Sequence, residues 1–157
     1  MEVVMYKFEY DIPVEQFFFD DKGILDTHWK ELANYTDKIK LNPDIDKYKF
    51  MQQNNLLKNI CVYNKNKLIG YCVLFCMPHP HYKDDIFVSV DVFYVDPEYR
   101  GKTIGIRLIK ETEKVARSIG ASVITYHTKI AHPTLEKMIH KLGYNKLEHT
   151  SGKCLKE

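Results

Sequence analysis

The sequence predicts an α/β fold, an α+β arrangement around a mixed sheet, on three observations. Between residues 87 and 120 a strand, a glycine-containing turn and an amphipathic helix follow one another. Two strand-like runs, residues 56–63 and 67–77, precede them across the hairpin signal Asn64-Lys65-Asn66. A further strand and helix, residues 122–128 and 131–142, come after. At 157 residues the chain reads as one domain spanning 1–157, long enough for a substantial core.

In chain order, residues 3–10 read as the first strand. Pro13 suits the first turn of a helix that Val14, Glu15 and Gln16 continue into Phe17, Phe18 and Phe19, whose rings read as core or lid packing. After Gly23, residues 25–34 form a second helical pattern, with Asp26 or Thr27 as its N-cap. Leu25, Trp29 and Leu32 make its apolar stripe, and His28 and Glu31 are among its polar positions. Asn42-Pro43-Asp44 is a loop, and residues 45–54, containing Tyr48, are helical. Pro78-His79-Pro80-His81-Tyr82 interrupts the chain after the hairpin.

In the strand that follows, Val88, Val90, Val92 and Tyr94 alternate with Ser89, Asp91, Phe93 and Val95, the two-residue period of a sheet. Asp96-Pro97 ends it, because proline pushes the preceding residue out of helical geometry. The next helix carries Ile104, Leu108, Ile109, Val115 and Ala116 on its apolar side and stops at Gly120. In the last helix Leu135, Met138, Ile139 and Leu142 make one face, and Gly143 caps it. Residues 144–155 read as one or two closing strands.

Composition narrows the function classes. Hydrophobic residues at 45% and aromatics at 13% belong to a soluble globular protein. A net charge of +2 gives no whole-protein argument for a nucleic-acid or membrane partner. No apolar run approaches the roughly 20 residues that span a bilayer, and the N-terminus has no signal-peptide pattern. Cys61, Cys72, Cys76 and Cys154 show no Cys-x-x-Cys spacing, so a reducing, cytoplasmic compartment is expected. His79 and His81 lack acidic or cysteine partners at metal spacing, and no metal is expected. There is no Gly-Lys-Ser/Thr loop of the nucleotide-binding type.

The run Arg100-Gly101-Lys102-Thr103-Ile104-Gly105 opens a helix, where backbone N–H groups lack intrahelical partners and attract anions. The surrounding segment YVDPEYRGKTIGIRLI resembles motif A of the GCN5-related N-acetyltransferases, the GNAT superfamily. That family's pyrophosphate loop is Gln/Arg-x-x-Gly-x-Gly/Ala; Arg100, Ile104 and Gly105 fit it, while Thr103 stands at the first motif glycine. The element order β-α-α-β-β-β-α-β-α-β is similar to the family plan over nearly the whole chain. The resemblance implies a central mixed, mostly antiparallel sheet whose parallel strands splay to leave a notch for a pantetheine arm.

The resemblance also implies acetyl-CoA as cosubstrate. Backbone groups of Phe93 and Val95 would pair with its pantetheine amides, and the N–H groups of Arg100, Gly101, Lys102, Thr103, Ile104 and Gly105 would cradle its pyrophosphate. The Thr103 hydroxyl can add a hydrogen bond, while its Cβ restricts the loop. Lys102 and Arg107 would add positive charge. The last helix resembles the family segment Asn-x-x-Ala-x-x-Leu-Tyr-x-x-Leu-Gly-Phe/Tyr. That alignment puts His132 at a cofactor-contacting asparagine and Ile139 at the tyrosine that protonates the leaving sulfur. The thiolate then takes its proton from Tyr144, another tyrosine or water, or leaves without one.

Two residues are candidates for the base that frees the acceptor amine. His127 aligns with a glutamate in the branch that acetylates ribosomal-protein N-termini, and imidazole titrates near neutrality in water. Asp91 lies where several family branches carry a catalytic carboxylate, and strict alternation puts it on the face of Phe93 and Val95. Either residue also fits a polar pair at a sheet edge. His28, together with His79, His81 and Tyr82 of the proline-rich loop, is the candidate lining for the acceptor. The segments HWKELANYTDKIKLNPDIDKY, PHPHYKD and SGKCL resemble a bacterial and phage subgroup. The expected function is acetyl transfer to a primary amine by direct ternary-complex chemistry, with small-molecule and protein acceptors both open and a homodimer compatible. The alternative is a GNAT-fold protein that holds acyl-CoA without turnover or acts through a protein partner.

Overall fold

The computed structural model describes residues 5–16 and 22–156. Among them, five strands form one sheet in sequence order: β1 (Lys7–Tyr10), β2 (Leu57–Asn64), β3 (Lys67–His79), β4 (Tyr82–Val95) and β5 (Ala121–Tyr126). Neighbours are antiparallel except β4 and β5, which are parallel. The mixed sheet of the α/β expectation is therefore present, with helices α1 (Lys22–Leu32), α2 (Ile45–Gln53), α3 (Ile104–Ser118) and α4 (Thr134–Lys141) flanking it.

The sheet has a core on each face. On one, Ile60, Val62, Cys72, Leu74, Val88 and Val90 pack against Ile104, Leu108 and Ala116 of α3. On the other, Leu57, Cys61, Tyr71, Val73 and Tyr94 meet Ile24, Leu25 and Leu32 of α1 and Tyr48 and Met51 of α2. The three strand cysteines are buried thiols, used as small apolar groups.

The strict alternation expected for β4 is broken. Val90 pairs with Leu74 and Val92 with Val73, so two steps on β4 answer one on β3. Asp91 is the extra residue, a β-bulge, and it inverts the parity of everything after it. Val88 and Val90 face α3 together with Phe93 and Val95, whereas Val92 and Tyr94 face α1 and α2. Asp91 therefore does not share the simple face with Phe93 and Val95 that the period implies.

Other boundaries move for local reasons. The proline-histidine run interrupts nothing for long: β3 continues through Pro78 to His79, Pro80 and His81 form the turn, and β4 begins at Tyr82. Helix α1 starts at Lys22, so Asp26 and Thr27 lie inside it; the Thr27 hydroxyl donates back to Gly23 O at 2.8 Å. Asp44 caps α2, accepting from Lys47 N. Helix α4 begins three residues late because Pro133 biases His132 away from helical geometry. No closing strand forms among residues 144–156. That stretch lacks alternating apolar positions; Leu147 and Leu155 are exposed, and it runs past the loop after α1. Tyr35 Oη donates to Gly152 O and Lys38 Nζ to Lys156 O, each at 3.2 Å. The first-strand residues 3 and 4 and the triple phenylalanine lie outside the described residues, although residues 14–16 are helical as Pro13 suggests.

The segment after β1 is held by a buried amide. Asn59 on β2 is 2% exposed, accepts from Ile12 N at 3.0 Å and donates to Ile12 O at 2.7 Å. Gln52 Nε2 also reaches Ile12 O, so removing Asn59's side chain orphans chiefly the Ile12 N–H. Asn59→Ala is expected to lower the unfolding free energy by about 2 kcal/mol in urea titration, the cost of one buried unsatisfied donor. An unchanged midpoint would show that Ile12 does not depend on this amide.

Candidate active site

The parallel ladder between β4 and β5 ends at Val90 and Tyr126. Beyond it β4 runs on through residues 91–95 with no β5 partner, so the strands part and leave a notch. Edge-to-face packing of Phe93 on Tyr126, with centroids 6.0 Å apart, closes its floor. Asp91 and His127 are the first residues past the last pair, one on each rim. A cavity of about 760 Å³ opens here, walled by α1, the loop after it, residues 91–95, the turn after β4 and the start of α4.

The donor end is built by the turn and the first turn of α3. Gly101, Lys102 and Gly105 line the cavity. Gly101 has φ +75°, a conformation that favours glycine. Thr103 does not: at φ −76° and ψ −4° it is ordinary helical backbone, so its Cβ imposes no strain, and its hydroxyl makes no capping bond. Thr103 and Ile104 are not among the wall residues, and Ile104 is wholly buried. A Cβ on Gly105 would come within 3.3 Å of the Met138 thioether, so this glycine lets α4 close against α3. Lys102 Nζ lies 5.3 Å from the Tyr99 ring. Arg107 instead stacks on Phe8 at 4.7 Å and is not among the wall residues.

Arg100 has another task. Its Nε donates to Val95 O at 2.8 Å, and its terminal nitrogens grip both oxygens of Glu31, at 2.6 and 2.8 Å. Glu31 also accepts from Tyr94 Oη at 2.8 Å. The Arg100 hydrogen bonds hold its carboxyl below the usual range, against the opposing effect of burial. Burial, with that same carboxylate, pushes the Tyr94 hydroxyl up. This clasp fixes α1 to the donor loop.

His28, one turn before Glu31, stacks on Tyr94 with centroids 4.6 Å apart and shares a 2.5 Å hydrogen bond with Tyr71 Oη. Burial brings it down to about 4, with Lys129 and Arg100 adding repulsion, so it is neutral at pH 7. On the rim, His127 Nε2 and Ser89 Oγ are 3.0 Å apart. Burial and then the Asp91 charge raise the Tyr48 hydroxyl, and both residues line the cavity.

Of the residues singled out from sequence, the fold gathers His28, Asp91, Phe93, Val95, Arg100, Gly101, Lys102, Gly105, His127 and His132 around one cavity. His79, His81 and Tyr82 stand at the β3–β4 hairpin tip, outside this wall. His79 packs on Phe87 and Tyr82, and its Nδ1 accepts from His81 N. Ile139 is core, and Tyr144 is turned away from the cavity, donating to Glu113 Oε1 at 2.9 Å. Sequence reading missed Tyr71, Tyr94, Lys129 and the clasp; the i, i+3 spacing of His28 and Glu31, which puts them on one helix face, was the available signal.

A family model described as "Acetyltransferase (GNAT) family" matches residues 23–144. Among solved structures, an aminoglycoside acetyltransferase from an uncultured soil metagenomic sample superposes with TM-score 0.74 at 12% identity, over 96% of this chain and 99% of that one. A ribosomal-protein-alanine N-acetyltransferase from Brucella melitensis biovar Abortus 2308 gives 0.71 at 14%, over 95% and 99%. AAC(6')-Iy in complex with the bisubstrate analog CoA-S-monomethyl-acetylneamine gives 0.67 at 14%, over 96% and 97%. These likenesses are of fold. No curated protein sequence matches the chain.

A buried neutral histidine makes stability depend on pH with a definite sign. The unfolded chain takes up a proton near pH 6.5 and the folded site only near 4, so stability is full above 6.5 and falls as pH drops toward 4. His28→Gln is expected to remove about 2 kcal/mol of the parent's stability loss between pH 7 and 5, read from urea midpoints at each pH. Parallel curves for parent and variant would show that His28 takes up its proton equally in both states.

Proposed function

We propose, on the premise that this chain belongs to the GNAT acetyltransferase family, that it moves an acetyl group from acetyl-CoA to a primary amine. The observation that carries this is the notch, with a phosphate-suited helix start at one end and two titratable side chains on its rims. The residues present fit the cosubstrate. At Phe93 the β4 backbone has β3 on one side and no β5 partner on the other, which supports an extended amide arm; Gly101, Lys102 and the α3 N-terminus support its phosphates. Val95 is a weaker amide partner, since its carbonyl already receives Arg100. Acetyl-CoA, when bound, supplies an activated acyl carbon and a thiolate leaving group.

The protein's own part is to attract, orient and deprotonate. Asp91 draws the acceptor ammonium to the rim, and His127 accepts its proton there, its Nε2 steered by Ser89. Isoleucine at 139 and the commitment of Tyr144 to Glu113 leave the sulfur to depart as thiolate or to take its proton from another tyrosine or from water. No cysteine is among the described wall residues, which favours direct transfer in a ternary complex over an acetyl-cysteine route. Among the described residues no helix is long and apolar enough to cross a membrane. With its buried cysteine thiols, the chain suits the cytoplasm.

The test is acetyl-CoA titration by calorimetry, then CoA release over an amine panel. Binding with turnover is expected, and His127→Ala should lower kcat roughly a hundredfold or more at pH 7 with acetyl-CoA affinity nearly unchanged. Binding without turnover on any amine would favour the acyl-CoA-holding alternative, and an active His127→Ala enzyme would shift the base to Asp91.

A further inference from the structure

The acceptor side of the cavity is chemically lopsided. Its wall from α1 and the following loop is mostly apolar: Leu25, Trp29, Leu32, Ile39 and Leu41 face it beside His28, Glu31, Lys40 and Asn42. Ile39 and Leu41 are 43% and 44% exposed, apolar groups left open to the chamber. Among the described wall residues the carboxylates are Glu31 and Asp91. Glu31 has both oxygens in the Arg100 grip and one also under Tyr94. Among the described wall residues that leaves Asp91 as the carboxylate available to a cation. Lys40 and Lys129 line the same space, and the Lys129 charge reaches His28 on the acceptor face.

Building on the acetyltransferase reading above, we propose that the acceptor is a small monoamine with an aromatic or branched apolar body. Its one ammonium docks at Asp91 on the notch rim while the body lies on the Trp29–Leu41 wall. A polycation fits badly for two physical reasons. Its further ammonium groups would meet lysines rather than carboxylates, and like charges repel most strongly where water is displaced. Its hydroxylated or amine-studded body would also strip water from polar groups against an apolar wall with few partners. An apolar body gains where a polycation loses, because it covers Ile39 and Leu41.

The experiment compares 2-phenylethylamine and isoamylamine with spermidine, neamine and a short peptide bearing a free α-amine, at saturating acetyl-CoA. The monoamines are expected to exceed spermidine and neamine in kcat/KM by about tenfold or more, the scale on which apolar pockets discriminate. Ile39→Glu combined with Leu41→Glu should narrow or invert that ratio while acetyl-CoA affinity stays the same. Equal or better use of a polycation, or acetylation of the peptide alone, would overturn the monoamine assignment and leave the acetyltransferase reading intact. So would acetyl-CoA binding with no turnover of either monoamine. Failure to bind acetyl-CoA would instead overturn the parent reading, and this one with it.

Discussion

One inserted residue in β4 governs the rest. Because Asp91 bulges, Tyr94 turns toward α1 while Phe93 and Val95 turn toward α3. In an unbulged strand the parity would be opposite, and the Tyr94 hydroxyl would point away from Glu31. The same place marks the end of the parallel ladder, so the strand bends where it loses its neighbour. Notch, rim carboxylate and the tyrosine that steadies α1 all follow from that single irregularity.

The site divides its charges along its length. At the donor end a helix start and Lys102 offer positive potential, suited to phosphates. At the centre Arg100 and Glu31 cancel each other and spend their charge on architecture. At the acceptor end, among the described residues, there are apolar side chains and one carboxylate outside the Arg100 grip. A clasp that is part-exposed and bidentate is worth more as geometry than as stability, since two forked hydrogen bonds specify an orientation. It holds α1 at one distance from the donor loop and thereby sets the width of the chamber.

The elements with strong periodicity were legible in the sequence: the β2–β3 hairpin, the strand–turn–helix around Arg100, and α4 with Ile139 inside. The bulge was not, because valine, phenylalanine and tyrosine suit either face and the run VSVDVFYV reads as unbroken alternation. Nor was Arg100's partner. Its place in a phosphate loop suggested a phosphate, and Glu31 comes to it only through tertiary packing. The 144–155 segment misled for the reverse reason: family-like order suggested strands where its own residues lack a buried face. At the hairpin tip, histidines and tyrosine suggested a substrate loop, but sequence does not show that β3 and β4 run on far enough to carry them beyond the cavity wall.

The Glu31–Arg100 clasp joins residues 69 positions apart. Closing a chain loop of that length costs entropy before any contact is gained, so such a contact forms late, after the local hairpin and helix are in place. An ion pair that is part-exposed is screened by salt, so high ionic strength loosens the setting of α1 against the donor loop while leaving its apolar packing on Tyr71 and Tyr94 in place.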